Sequence, residues 1–172
     1  GAFVAALRSG PKPVIAAVEG AAAGAGASLA LACDLIVAAD DARFVMSYGR
    51  IGLTPDGGAS WQLARQLPRA LALQALWLAE PMSAAQWQQW GLVNLVVRRG
   101  EALAQALGLA ARLAAMSPQA LAGAKELVDA AHANTLTQQL RAETEPFVDC
   151  LFSADGAEGL RAFFAKRQPR FE

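Results

Sequence analysis

Cysteine is scarce in this chain. Cys33 and Cys150 lie far apart, and no C-x-x-C or Cys/His cluster accompanies them. Neither a disulfide framework nor a metal site is therefore expected, and a reducing, cytoplasmic setting is the default. Histidine is scarcer still. His132 stands alone, late in a predicted helix, and reads as a surface residue rather than a catalytic base. Charge of one sign is missing too, since 15 Lys and Arg balance 15 Asp and Glu. No field favours nucleic acid or an anionic membrane surface. No apolar run reaches the roughly 20 residues that span a bilayer, and "GAFVAALRSG" lacks the charged start and long apolar centre of a signal peptide. No repeat, linker or low-complexity stretch divides the chain. What remains is a soluble protein with a small, neutral-to-acidic partner.

The hydrophobic share is high, 55% of 172 residues, which suits one domain or most of one. "AFVAALRS" reads as the end of a helix without a lead-in. "PVIAAV", "CDLIVAAD", "FVM" and "LVNLVV" are short strand signals, each followed by a turn or by helical periodicity, and this alternation predicts a mixed α/β fold. From Ser83 onward helix starts are legible. Ser83 with Gln86, Thr135 with Gln138 and Asp155 with Glu158 have capping-box spacing, and Ser117 precedes Pro118. The three late stretches from Glu101 to Phe152 show apolar faces too wide for solitary helices, so they pack on the sheet or on another subunit.

Two segments carry candidate chemistry. The first is "EGAAAGAGASLALACD", Glu19 to Asp34, which looks like a dinucleotide-binding turn but places Leu29 where the third glycine of G-x-G-x-x-G belongs. One reading is close strand–helix packing through small residues. The other is an oxyanion site, because free backbone N–H groups begin near Ala25 at a helix start. In the second segment, "YGRIGLTPDGGASW", Asp56 follows a proline and precedes two glycines at a helix entry. It reads either as an ordinary turn former or as a partly desolvated base among Ile51 and Leu53. Trp61, Trp77, Trp87 and Trp90 are expected to serve packing, and Arg65 and Arg69 are read either as phosphate contacts or as solvated helix ends.

Taken together, "GPKPVIAAVEGAAAGAGASLALACDLIVAADDARF", "IGLTPDGG", "LPRALALQALWLAEPMSAAQWQQWGLV", "SPQALAGAKELV" and "SADGAEGLRAFFAKRQPRF" resemble, in order, the crotonase or enoyl-CoA hydratase/isomerase superfamily. The resemblance covers nearly all of the chain and implies that about the first third of the usual domain is absent from it. It implies a spiral of strand-strand-helix units over residues 1–100, closed by a helical oligomerisation region over 101–172 in a trimer or dimer of trimers. It also implies binding of an acyl-CoA thioester whose carbonyl oxygen sits between two backbone N–H groups. One falls on Ala25, flanked by Gly24 and Gly26, and the other on the upstream segment. Contacts to coenzyme A fall on Phe163 and Lys166. No metal or redox cofactor is implied, coenzyme A being part of the substrate.

The departures from the family pattern matter more. At the two glutamate positions that hydratases use to activate water stand Ser28 and Tyr48, both poor bases near neutral pH. Asp56 instead occupies the position of an acid found in members that move a double bond with one carboxylate. Double-bond isomerisation is the expectation. The alternatives are a non-catalytic coenzyme A-binding subunit, a hydratase by family membership only, and a dehalogenase with Asp56 as nucleophile.

Overall fold

The computed structural model describes residues 1–171 and divides into two compact units. One comprises Gly1–Gly10 and Val14–Leu109, the other Pro11–Pro13 and the residues from Ala110 onward. In chain order, α1 (Ala2–Ser9), β1 (Ile15–Val18), β2 (Ala21–Ala23) and α2 (Ala25–Ala32) are followed by β3 (Leu35–Ala39) and β4 (Arg43–Val45). A 3-10 turn (Ser47–Ile51), α3 (Ala59–Gln66), α4 (Arg69–Leu78), β5 (Met82–Ser83), α5 (Ala84–Gln89) and β6 (Leu95–Val97) lead to α6 (Ala102–Ala114).

The first four strands alternate between two sheets, which makes the spiral. β1, β3 and β6 form one parallel sheet, while β2 pairs parallel with β4 and β4 antiparallel with β5. The order strand, strand, helix thus occurs twice, as β1-β2-α2 and β3-β4-α3. β3 lies in the middle of its sheet, and Ile36, Val37, Ala38 and Ala39 are all buried, which explains its unbroken apolar sequence. Phe44 on β4 stacks on Trp87 of α5 with centroids 3.9 Å apart, at the centre of the core. Polar side chains close the strand ends. Asp34 accepts the Val14 N–H at 2.7 Å, and Asn94 accepts the Ile36 N–H at 2.7 Å. Glu19 accepts the N–H groups of Gly100 and Ala102 at 3.0 and 2.9 Å, capping α6 with a negative charge where the helix dipole favours one.

Two strands carry no strand signal. β2 is three alanines, and β5 is two residues beside a helix cap. Both exist because β4 offers a hydrogen-bonding edge on each side, a tertiary cause that no local propensity reveals.

The second unit holds α7 (Pro118–Ala131), α8 (Leu136–Leu151) and α9 (Ala154–Phe164). Ser117 caps α7 with Pro118 at its first position, and Thr135 with Gln138 forms a full capping box on α8. The expected start at Asp155 moves by two residues. Ser153 is the N-cap, its hydroxyl accepting the Gly156 N–H at 3.0 Å, and Asp155 lies in the first turn. Gln139 on α8 donates to the Leu127 carbonyl of α7 at 3.0 Å and ties that hairpin. Among the described residues no helix is long and apolar enough to cross a membrane.

Candidate functional site

The site is assembled in the first unit from a helix start, a 3-10 turn and a loop. Gly24 caps α2 with φ of +50°, a backbone that disfavours other residues, and a Cβ there would meet Ser47 Oγ at 3.3 Å. The turn leaves Ala25 and Gly26 exposed at the first positions of α2. Their N–H groups have no carbonyl one turn back to take them. The helix then turns inward, and Ser28, one turn after Ala25, is fully buried.

The loop carrying Asp56 passes directly over Ser28. Gly57, with φ of +60°, is so close that a Cβ would lie 3.0 Å from Ser28 Cβ. This approach joins two segments that the sequence separates. Tyr48, buried on the 3-10 turn, donates its hydroxyl to Asp56 Oδ1 at 2.6 Å, and its Oη lies 2.7 Å from Ser28 Oγ. Ser28 Oγ also lies 3.2 Å from the Gly24 carbonyl oxygen, which closes the chain back onto the helix cap. A continuous run of hydrogen bonds therefore links Gly24, Ser28, Tyr48 and Asp56.

Burial and the adjacent Asp56 raise the Tyr48 hydroxyl above the usual tyrosine range, and the bond to Ser28 offsets them in part. Tyr48 is accordingly a neutral hydroxyl, a donor and not a base. Asp56 is exposed rather than desolvated. It sits on a loop flanked by positive-φ glycines, Gly52 on one side and Gly57 and Gly58 on the other, and Ile51 and Leu53 do not bury it because they are exposed themselves. A cavity of about 440 Å³, lined by Tyr48, Leu53, Pro55, Leu76 and Trp77, opens beside the loop.

Other expected residues have different settings. Phe163, exposed on α9, meets Phe164 edge to face at 5.7 Å, and Lys166 follows the helix in a left-handed conformation, both in the second unit. His132 is an exposed residue at the end of α7. Trp87 is core, whereas Trp61 is half-exposed, with the Arg65 guanidinium 3.9 Å from its ring centroid and that of Arg8 at 4.9 Å. Arg65, an exposed residue in the last turn of α3, thus lies over an aromatic face. Among the described residues no three His, Cys, Asp or Glu side chains gather as metal ligands. The role of Gly57 went unread in the sequence, since a glycine after Pro-Asp is explained by the turn alone.

A family model described as enoyl-CoA hydratase/isomerase matches residues 2–172. The chain is 43% identical over 161 residues to 1,2-epoxyphenylacetyl-CoA isomerase of Escherichia coli K12, covering 94% of this chain and 62% of that protein. It is 38% identical over 166 residues to 2,3-dehydroadipyl-CoA hydratase of the same organism, covering 96% and 65%. Its fold superposes on the crystal structure of an enoyl-CoA hydratase from Polaromonas sp. JS666 with a TM-score of 0.98 at 54% identity, covering 99% of this chain and 66% of that one. The chain therefore spans less than two thirds of the length of these relatives. With the two-sheet spiral, the exposed start of α2 and a match along almost every residue, the chain belongs to the enoyl-CoA hydratase/isomerase family of the crotonase superfamily.

Proposed function

We propose that this chain belongs to an enzyme that moves a double bond along an acyl-CoA thioester with one carboxylate. In this reading the Ala25 N–H donates to the thioester oxygen, between Gly24 and Gly26, which shape the turn. Asp56 removes a proton from the carbon α to the thioester carbonyl of a 3-enoyl chain, and the electron pair passes into the dienolate, whose charge rests on that oxygen. The same carboxyl returns the proton two carbons away, so the double bond shifts and nothing is gained or lost. Such a shuttle calls for no metal or redox cofactor, and coenzyme A enters as part of the substrate. Phe163 and Lys166 are assigned to coenzyme A contacts, and region 101–172 to oligomerisation.

One observation carries the choice of isomerase over hydratase. Ser28 and Tyr48, at the positions where hydratases carry glutamates, are hydroxyls whose hydrogen bonds lead to Asp56. Hydration needs a base for water and a proton donor together, whereas isomerisation needs one group that does both in turn. The relatives include both an isomerase and a hydratase by name, so the test must read chemistry. The Asp56→Asn variant keeps the shape of the loop and removes the base, and loss of a general base costs about 10²–10⁴-fold in rate. Exchange of enoyl-CoA α- and γ-protons with deuterated water should fall by that factor. Near-normal exchange in the folded variant would return Asp56 to a turn former and put the base elsewhere, whereas no exchange by the unsubstituted protein would favour a coenzyme A-binding module.

A further inference from the structure

Asp56 is an exposed residue on a loop rich in positive-φ glycines, a setting in which a carboxylate ordinarily samples several rotamers. Here one of its oxygens is held. Tyr48 Oη lies 2.6 Å from Oδ1, at the short end for a hydroxyl bonded to a carboxylate, and Tyr48 itself is buried. Behind it stands Ser28, fully buried, 2.7 Å from the same phenol oxygen and 3.2 Å from the Gly24 carbonyl. Two hydroxyl protons thus serve three contacts, and the arrangements open to them are few.

With Asp56 ionised, its carboxylate only accepts, so Tyr48 donates to Oδ1 and Ser28, at the shorter of its two contacts, donates to Tyr48. With a proton on Oδ1 the chain reverses. Asp56 donates to Tyr48, Tyr48 to Ser28, and Ser28 to the Gly24 carbonyl, which has a second lone pair beside the one facing the Ser28 N–H at 3.0 Å. Neither arrangement leaves a buried hydroxyl donor without an acceptor. Both protonation states of the carboxyl are accommodated by turning two hydroxyls, with no heavy atom displaced. Among the described residues nothing is bonded to Oδ2.

We propose that Tyr48 and Ser28 are positioning residues for Asp56: Tyr48 pins Oδ1 so that Oδ2 exchanges the proton with substrate, and Ser28 aims the Tyr48 hydroxyl. This rests on Asp56 being the base. The family's two carboxylate positions are then not vacant but serve a third carboxylate at one remove.

The test is the pH profile of enoyl-CoA isomerisation in a small set of variants. Tyr48→Phe removes the hydroxyl that holds the ionised carboxylate, so the acid limb should move to higher pH, with kcat down roughly 10- to 100-fold and KM little changed. Ser28→Ala should move the limb the same way by less, and should add nothing in a Tyr48→Phe background, because it acts through Tyr48. Site-specific 3-fluorotyrosine at position 48 keeps the shape and strengthens the donor, so the limb should move down. That opposite displacement is one a purely structural role would not give, and it decides the matter if Tyr48→Phe fails to fold. An unmoved acid limb with 3-fluorotyrosine, or additive effects of the two substitutions, would overturn the proposal. The two readings fail separately. An active Asp56→Asn variant removes the base, whereas an inactive one beside an unmoved fluorotyrosine profile removes only the positioning role.

Discussion

At the scale of single residues, the site depends on an absence of side chain. Gly57 brings the Asp56 loop against α2, where any Cβ would press on Ser28 from 3.0 Å while the backbone holds φ at +60°. Gly57→Ala must either strain that backbone or lift the loop, and a left-handed non-glycine residue costs about 1–3 kcal/mol. Urea unfolding should register a loss in that range, and isomerisation should fall further than stability does, since lifting the loop breaks the Tyr48–Asp56 bond. Loss of stability with full activity would mean that the loop can move without its carboxylate. Asp56 and the start at Ala25 were legible in the sequence because proline, glycine and a helix entry mark such places. The Ser28–Tyr48–Asp56 chain was not, because hydrogen bonds across 20 and 8 residues have no local signature.

At the scale of elements, the readable signals were those made by neighbours in sequence. The caps of α7 and α8 stand where Ser117 and Thr135 put them, since the bonds involved span three residues. β2 and β5 were unreadable, since they owe their form to β4. The cap of α9 was misread because Asp155 and Glu158 have capping-box spacing, yet Glu158 is engaged elsewhere. It binds the Arg167 guanidinium at 2.6 and 3.0 Å and accepts the Arg170 N–H at 3.0 Å, fastening the tail after α9 back onto that helix. These contacts, the Arg167 bond first, lower its carboxyl from 4.5 to about 2. A depressed folded-state value means that the fastening acts fully above about pH 4.5 and is lost as pH falls towards 2. Hydrogen exchange at the Arg170 amide should be slow at neutral pH and accelerate, beyond its intrinsic pH dependence, across that window. In Glu158→Gln it should be fast throughout, and protection that survives in this variant would show that the tail is held by something else.

At the scale of the whole molecule, alternation of strand and helix signals sufficed for an α/β fold, the spiral of strand-strand-helix units followed only from resemblance to a family, and which strands share a sheet came from the structure. Composition has no means of sending β1 and β3 to one sheet and β2 and β4 to another. The helical unit exposes Phe147, Phe152, Leu160, Phe163 and Phe164, more large apolar surface than scattered residues on a monomer require. We propose that these residues meet other copies of the chain, in a trimer or a pair of trimers. Light scattering at micromolar concentration should then give a mass that is a multiple of three protomers, and Phe152→Asp with Phe163→Asp should lower it. A monomer in the unsubstituted protein would refute that assembly.

The most direct measurement of the central claim is the product formed from a 3-enoyl-CoA in deuterated water, resolved by mass. A single-carboxylate shuttle predicts the 2-enoyl isomer, carrying solvent deuterium to the extent that Asp56 exchanges its proton before returning it, and no such product from Asp56→Asn. Accumulation of a 3-hydroxyacyl-CoA, heavier by one water and formed as readily by Asp56→Asn, would contradict it.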